Sequence, residues 1–221
     1  MPILYDKKVL DMVKYFKFEM KKKELEILLQ KVPAFENPSP TLEQYLTPAN
    51  IVADIIFIAH QFGDIKEKIV FDLGCGTGIF AIGAKITGAK KVIGFDIDGK
   101  AIGKAKKYTD ENEISVVFFK KDILEIKEKC DTILMNPPFG AQKSNIKADR
   151  KFIEKGFEIS NVIYSIHLSK TIPFIEKMVL SLKGEINYSK NYKFQMKHTY
   201  DFHEKKIAEY NVSLLRILTK R

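Results

Sequence analysis

The sequence predicts an α/β protein built on a mostly parallel sheet that ends in an antiparallel strand pair. Short apolar runs such as "KIVFDLG" (68–74) and "CDTILMN" (130–136) stop abruptly at glycine or asparagine, as strands buried on both faces do. Between such runs lie segments of helical spacing, for example "TGIFAIGAKITGA" (77–89). Alternation of the two patterns marks strand–helix–strand units. Two longer segments near the end, about 185–197 and 208–219, read as the antiparallel pair.

Taken in order, 68–74 is the first strand and 77–89 its helix, with Gly88 as the stop. "KKVIGFDID" (90–98) is the second strand and "GKAIGKAKKYTDENE" (99–113) a solvated helix. "SVVFFKKD" (115–122) and 130–136 are the third and fourth strands. After a basic loop come a helix over 149–160, a fifth strand over 161–169 and a helix over 170–184, where Pro173 fits the first turn. With the terminal pair the sheet has seven strands. Ahead of this core, 21–31 is helical, and "VPAFENPSPTLEQYLTPAN" (32–50), with four prolines, is extended or turning. Thr47 suits an N-cap, with Pro48 first in the next helix. The expected division is an N-terminal helical and extended segment over 1–47 and the main α/β domain over 48–221. No internal repeat or low-complexity tract is evident.

A chain of 221 residues, 45% hydrophobic, can bury one sizeable core. There are 37 Lys and Arg against 28 Asp and Glu, a net charge of +9, which favours a polyanionic partner. Two cysteines, Cys75 and Cys130, cannot form a four-ligand zinc site, so no metal is expected, and they point to a reducing compartment. The greasiest stretch, "IVADIIFIAHQF" (51–62), is too short to span a bilayer, and the start lacks a signal-peptide pattern. A soluble cytoplasmic protein is expected.

"DLGCGTG" (72–78) sits at a strand-to-helix turn, beyond the carboxyl end of the first strand, where parallel sheets bind ligands. Gly74, Gly76 and Gly78 allow a sharp bend and close approach. The dinucleotide pattern G-x-G-x-x-G fails, because Ile79 stands where its last glycine belongs. Asp72 before the loop, the G-x-G-x-G spacing, and Asp96 ending the second strand fit S-adenosylmethionine better. Asp96 would accept from the ribose hydroxyls, and Asp122, ending the third strand, from the adenine amine. An ordinary βα turn is the bland alternative.

The fourth strand ends in "NPPF" (136–139), next to the first strand and hence to the cofactor. That motif suits methylation of a planar, conjugated nitrogen, whose lone pair is delocalised. The Asn136 side-chain oxygen and the Pro137 carbonyl would accept its two N–H groups, the backbone being held by Pro137 and Pro138. Phe139 offers a face for an unstacked base. The same motif serves enzymes that methylate guanine amines and protein glutamine amides, so those substrates stay open.

These motifs, with "KKKELEILLQ" (21–30), "LEQYLTP" (42–48), "YSIHLSK" (164–170) and "DFHEKK" (201–206), resemble the methyltransferase-like protein five family of N6-adenine small-subunit ribosomal RNA methyltransferases. The resemblance begins near Met20 and implies a Rossmann-like class I S-adenosylmethionine-dependent fold. It implies that Gln44 and Thr47 close over the cofactor. Gly74, Thr77 and Ile79 would contact it from the loop, Asp96 at the ribose, and Asp122 and Ile123 at the adenine. Asn136, Pro137, Pro138 and Phe139 would be catalytic. A small zinc-ribbon activator is implied as partner, adding a strand at the third-strand edge. RNA contacts are expected from Lys143, Lys147 and Arg150 after the motif and from Phe202 and His203. His167 ends the fifth strand near the expected pocket mouth, as a substrate contact or a structural histidine. The rivals are a guanine-N2 RNA methyltransferase, a protein glutamine methyltransferase, and an RNA-binding scaffold that retains the fold.

Overall fold

A computed structural model describes residues 20–36, 38–139, 148–197 and 207–219. Its centre is a seven-stranded sheet in the order β3-β2-β1-β4-β5-β7-β6. The strands are β1 (Ile69–Leu73), β2 (Lys91–Asp96), β3 (Val117–Lys120), β4 (Thr132–Met135), β5 (Val162–Leu168), β6 (Glu185–Lys197) and β7 (Ile207–Leu218). The first five are parallel, and β7 runs antiparallel between β5 and β6. The strand order reverses between β1 and β4, so a crevice opens at their carboxyl ends.

Helices cover both faces. They are α1 (Lys22–Leu29), α2 (Ala49–Gln61), α3 (Ile79–Ile86), α4 (Gly99–Glu111), α5 (Ala148–Ile159) and α6 (Ile172–Ser181). Alternation along β1 decides which residues meet which layer. Val70 packs with Leu25, Leu29, Ile55, Ile82 and Ala105 from α1 to α4. Phe71 and Leu73 pack with Ile153, Ile159 and Ile175 from α5 and α6. The described part of 1–47 therefore shares one core with the rest: Leu25, Leu29 and Val32 are all buried in it. Asp54 of α2 reinforces the junction, accepting from Lys22 of α1 at 2.7 Å and from the Tyr192 hydroxyl of β6 at 2.7 Å. No helix among the described residues is long and apolar enough to cross a membrane.

Local signals behave as their chemistry requires, with two corrections. Gly88 adopts φ +96° just after the Thr87 C-cap of α3, and Pro173 lies in the first turn of α6. Thr47 is not the N-cap of α2: Pro48 holds that position, and no side chain caps it. The Thr47 hydroxyl is engaged elsewhere, in the site described below. The third strand is shorter than 115–122 and ends at Lys120, so Asp122 instead caps a short 3-10 turn through Leu124 N–H at 2.9 Å.

The antiparallel end is fastened by a buried polar cluster. Asp64, in the turn after α2, accepts from Arg216 Nε of β7 at 2.7 Å and from the Tyr164 hydroxyl of β5 at 2.6 Å. The guanidinium also lies over the Phe62 ring, 4.3 Å from its centroid. Removing one partner strands the other charge in a dry interior. Arg216→Ala should therefore lose about 3–5 kcal/mol of unfolding free energy, which urea denaturation followed by circular dichroism would measure; a loss under 1 kcal/mol would mean the cluster is not a fastening.

Candidate active site

The loop after β1 is built around the end of β2. Gly74 and Cys75 both donate their N–H to the Phe95 carbonyl, at 2.9 and 3.0 Å. Gly78 has φ +88° and is the N-cap of α3, and a Cβ there would meet the Phe118 ring at 2.8 Å. So it needs glycine for conformation and for space. Gly76, at φ +53°, faces the Phe35 ring, which a Cβ would meet at 2.6 Å. The Asp96 carboxylate braces this arrangement: Oδ2 accepts from Gly76 N–H at 2.7 Å and Oδ1 from Asp98 N–H at 2.8 Å.

A cavity of about 270 Å3 lies above the loop. Of the residues expected to bind the cofactor, it is lined by Gln44, Gly74, Gly76, Asp96, Asp122, Ile123 and Asn136, and Pro138 joins them. The others stand behind the wall. Asp72 is buried beneath the loop, its Oδ2 accepting from Ala81 N–H at 2.9 Å, so it fixes the start of α3. Gly78 and Ile79 pack inward, and Thr77 is buried with an unpaired hydroxyl. Thr47 is buried too, but its Oγ1 accepts from Asn136 Nδ2 at 3.0 Å. That bond occupies the amide nitrogen and leaves Asn136 Oδ1 buried without a partner. Pro137 is buried, and Phe139 packs against Tyr45 and Phe194 instead of lining the cavity.

Several wall residues were missed by reading the sequence. Ile97 directly follows Asp96 and Lys121 directly precedes Asp122, so adjacency alone could have found them. Tyr45 sits inside "LEQYLTP", between two residues that were named. Phe35 and Phe152 carry no such signal, because the path of a proline-rich segment and the tilt of a later helix are tertiary facts. Gln44 pins the strap over 35–47: its Oε1 accepts from Ser39 N–H at 2.8 Å, and its Nε2 donates to Asp98 at 2.7 Å.

His167 is fully buried, with Nε2 at 2.7 Å from the Ser165 hydroxyl and Nδ1 3.6 Å from Asp149, which favours the structural role. Arg150 is exposed and pairs with Glu154 one turn along α5 at 2.8 Å. Lys143, Lys147, Phe202 and His203 lie outside the described residues. Burial pushes the Cys75 thiol well above its usual range, which removes any thiolate role.

The donor set fits S-adenosylmethionine. The loop glycines give close approach, and Asp96 at the end of β2 and Asp122 in the turn after β3 put carboxylates on the wall, which suits a cofactor with cationic groups. Burial raises the Asp96 carboxyl above its ordinary value, and burial with the nearby Asp96 charge pushes Asp72 up to about 8.

Strand order, glycine loop and strand-end carboxylates define a class I S-adenosylmethionine-dependent methyltransferase. A family model described as "Methyltransferase small domain" matches residues 56–159. The chain is 35% identical over 204 residues to the rRNA N(6)-adenosine-methyltransferase METTL5 of Danio rerio, covering 89% of this chain and 98% of that protein. An uncharacterised protein of Methanocaldococcus jannaschii is 39% identical over 210 residues, 90% of this chain and 94% of the other. The crystal structure of a candidate RNA methyltransferase from Pyrococcus horikoshii superposes with a TM-score of 0.83 at 38% identity, covering 90% of this chain and 98% of that one. The chain belongs to the METTL5 family of methyltransferases.

The raised carboxyl of Asp72 makes stability depend on pH. An acid with a folded value near 8 and an unfolded value of about 3.9 holds its proton in the fold where the unfolded chain has lost it. Stability should thus be full below about pH 4 as far as this group is concerned, and fall as pH rises toward 8. Asp72→Asn, which keeps the acceptor for Ala81 N–H, should flatten that fall in denaturant midpoints taken across the window; an unchanged slope would assign it to another group.

Proposed function

We propose that this enzyme methylates the exocyclic N6 of an adenosine in small-subunit ribosomal RNA and works in the cytoplasm. One observation carries the reading: Asn136 presents a buried, unpartnered Oδ1 at the crevice while Thr47 holds its amide nitrogen. A buried acceptor without a donor is rare and marks a group waiting for one. The full-length likeness to a relative named as an rRNA N(6)-adenosine-methyltransferase supports the substrate class. So does the net charge of +9, since a polyanion releases counterions on a basic surface.

When bound, S-adenosylmethionine supplies a methyl group activated by a sulfonium. Asp96, already fixed by two backbone N–H groups, is positioned to accept from ribose hydroxyls, with Asp122 and Ile123 at the adenine end. On the target side, Asn136 Oδ1 would accept one amine hydrogen and the Pro137 carbonyl the other. Holding both hydrogens in fixed acceptors turns the nitrogen lone pair out of the ring system. No strong base is required, because the methylated amine is acidic while cationic. Positioning and preorganised dipoles carry the rate. Neither a glutamine methyltransferase nor a scaffold explains the whole-length likeness together with an intact Asn136.

Incubation with labelled cofactor and small ribosomal subunits, followed by digestion to nucleosides, separates N6-methyladenosine from N2-methylguanosine and from labelled protein; label in either of the last two would replace this reading. Asp96→Ala should lose about 1.5–3 kcal/mol of cofactor affinity by calorimetry, the scale of charge-assisted hydrogen bonds. Asn136→Ala should instead abolish transfer while affinity falls only modestly. Normal turnover in Asn136→Ala would remove it from the mechanism.

The zinc-ribbon activator is proposed to add a strand to β3, which lies at the sheet edge. Val117 and Phe119 are 44% and 48% exposed there, unusual for an edge strand left uncovered. The geometry selects the residue to test. Lys121 N–H donates to the Asp96 carbonyl, and in a parallel ladder alternate residues turn the same way. Val117 and Phe119 thus face β2, and Phe118 and Lys120 present their N–H outward. The Phe118 side chain is buried against Gly78 and Gly94, so only Lys120 tests the edge without disturbing the core. The wild-type chain should co-purify with the activator one to one and self-associate alone, and Lys120→Pro should lose the complex while keeping its fold. Survival of the complex would move the interface elsewhere.

A further inference from the structure

We propose that Tyr45 is the second wall of the target-base site: its ring and Phe139 clamp the adenine between them, and its hydroxyl donates to a ring nitrogen beside the amine. The proposal rests on the N6-adenine reading and gives a role to a residue which that mechanism does not use. Tyr45 lies in the strap between Gln44, tied to Asp98, and Thr47, tied to Asn136. Its ring stands 5.3 Å from Phe139 at 33°, and Phe194 meets the two rings edge-on at 5.6 and 6.4 Å. Phe194 is fully buried and acts as a backstop, whereas Tyr45 is partly exposed, so Tyr45 is the wall that yields.

Two orphan polar atoms stand in residues that line one cavity: the Tyr45 hydroxyl and Asn136 Oδ1 are both buried without a hydrogen-bond partner. A purine edge satisfies both, through an amine hydrogen to Asn136 and a ring-nitrogen acceptor for the phenol. Burial holds the Tyr45 phenol well above its usual range, so it is a donor at any working pH. The Phe139 backbone N–H lies near the phenol oxygen without completing a hydrogen bond, leaving the O–H unused. With no base present, the two rings pack on each other and Asn136 Oδ1 stays buried. An adenine parting them gains a stacked face on each side, which any base can use, while the two polar contacts fix its rotation.

The test is methyl transfer to a short RNA carrying the adenosine identified by digestion, or 1-deaza- or 7-deazaadenosine in its place. Tyr45→Ala should raise the KM for RNA roughly tenfold to a hundredfold, the range of base–aromatic stacking, well beyond any change in cofactor affinity measured by calorimetry. Tyr45→Phe should keep the KM and lose roughly three- to tenfold in kcat/KM, the range of one hydrogen bond. The wild type should lose a similar factor on one of the two deaza bases, and Tyr45→Phe should lose nothing further on that base. A wild-type KM in Tyr45→Ala, or equal deaza losses in Tyr45→Phe and wild type, would overturn the clamp. Tyr45→Phe keeps the ring, so the hydroxyl can be judged even if Tyr45→Ala melts early. An inactive Asn136→Ala beside unaffected Tyr45 variants rejects the clamp alone, whereas an active Asn136→Ala rejects the N6-adenine reading and the clamp with it.

Discussion

The reversal of strand order between β1 and β4 is the constraint on which the rest of the molecule depends. On one side of it the chain runs outward through β2 to β3, and on the other through β5 to the antiparallel pair. Loops leaving β1 and β4 must therefore diverge, and the gap between them cannot be filled by either crossover. The glycine loop occupies one lip and Asn136 the other. The carboxylates are placed by their distance from that gap: Asp96 ends the next strand outward, Asp122 caps the turn after the strand beyond it, and Asp72, one layer down, fixes the helix that follows the loop.

The strap from Phe35 to Thr47 closes the gap from outside and touches both lips. Phe35 lies over Gly76 and Gln44 holds Asp98, both on the cofactor side. Thr47 binds the Asn136 amide across 89 residues of sequence. Because Asn136 has one donor group and one acceptor, tying the donor to Thr47 also fixes which atom is left for a ligand. A single segment thus orients the acceptor and covers the cofactor loop. The segment in turn is anchored through α1 and α2, whose junction Asp54 ties to β6. Truncating the chain before α2 would remove a wall of the site, so the boundary at residue 47 separates names more than packing.

The sheet was legible because its signals are local. Strands buried on both faces read as uninterrupted apolar runs, and Gly88 and Pro173 punctuate helices through their own backbone limits. Asp96 and Asn136 were legible for the same reason: a polar residue where an apolar run stops must face the ligand edge. Thr47 shows where this ends. Its position before Pro48 reads as a helix cap, yet its hydroxyl is taken by a partner distant in sequence. Asp72, Thr77, Gly78 and Ile79 share a motif with Gly74 and Gly76, but only the two glycines reach the cavity, since a tight turn sends successive side chains to opposite sides. Phe35, Tyr45, Phe152 and Phe194 are apolar residues whose roles depend on which elements meet, and no spacing encodes that.

Charge is arranged to match the two ligands differently. Asp96 lines the crevice and Asp72 lies buried beneath its glycine loop, both pushed toward their neutral forms by burial, and a cation above them would relieve that pressure. The surface carries the opposite sign, with Lys121 and Lys151 at the cavity rim. A polyanion is thus drawn to the rim and kept from the floor, which leaves the interior to the smaller cationic ligand. The sheet edge at β3 lies on the Asp96 side of the gap, two strands out from β1. A strand added there, as proposed, would stiffen β2, which ends at Asp96, and β3, which ends two residues before Asp122, without obstructing the lip at which Asn136 stands. The proposed partner, the cofactor and the nucleic acid would then each use a different part of one sheet: the β3 edge, the glycine-loop lip and the Asn136 lip.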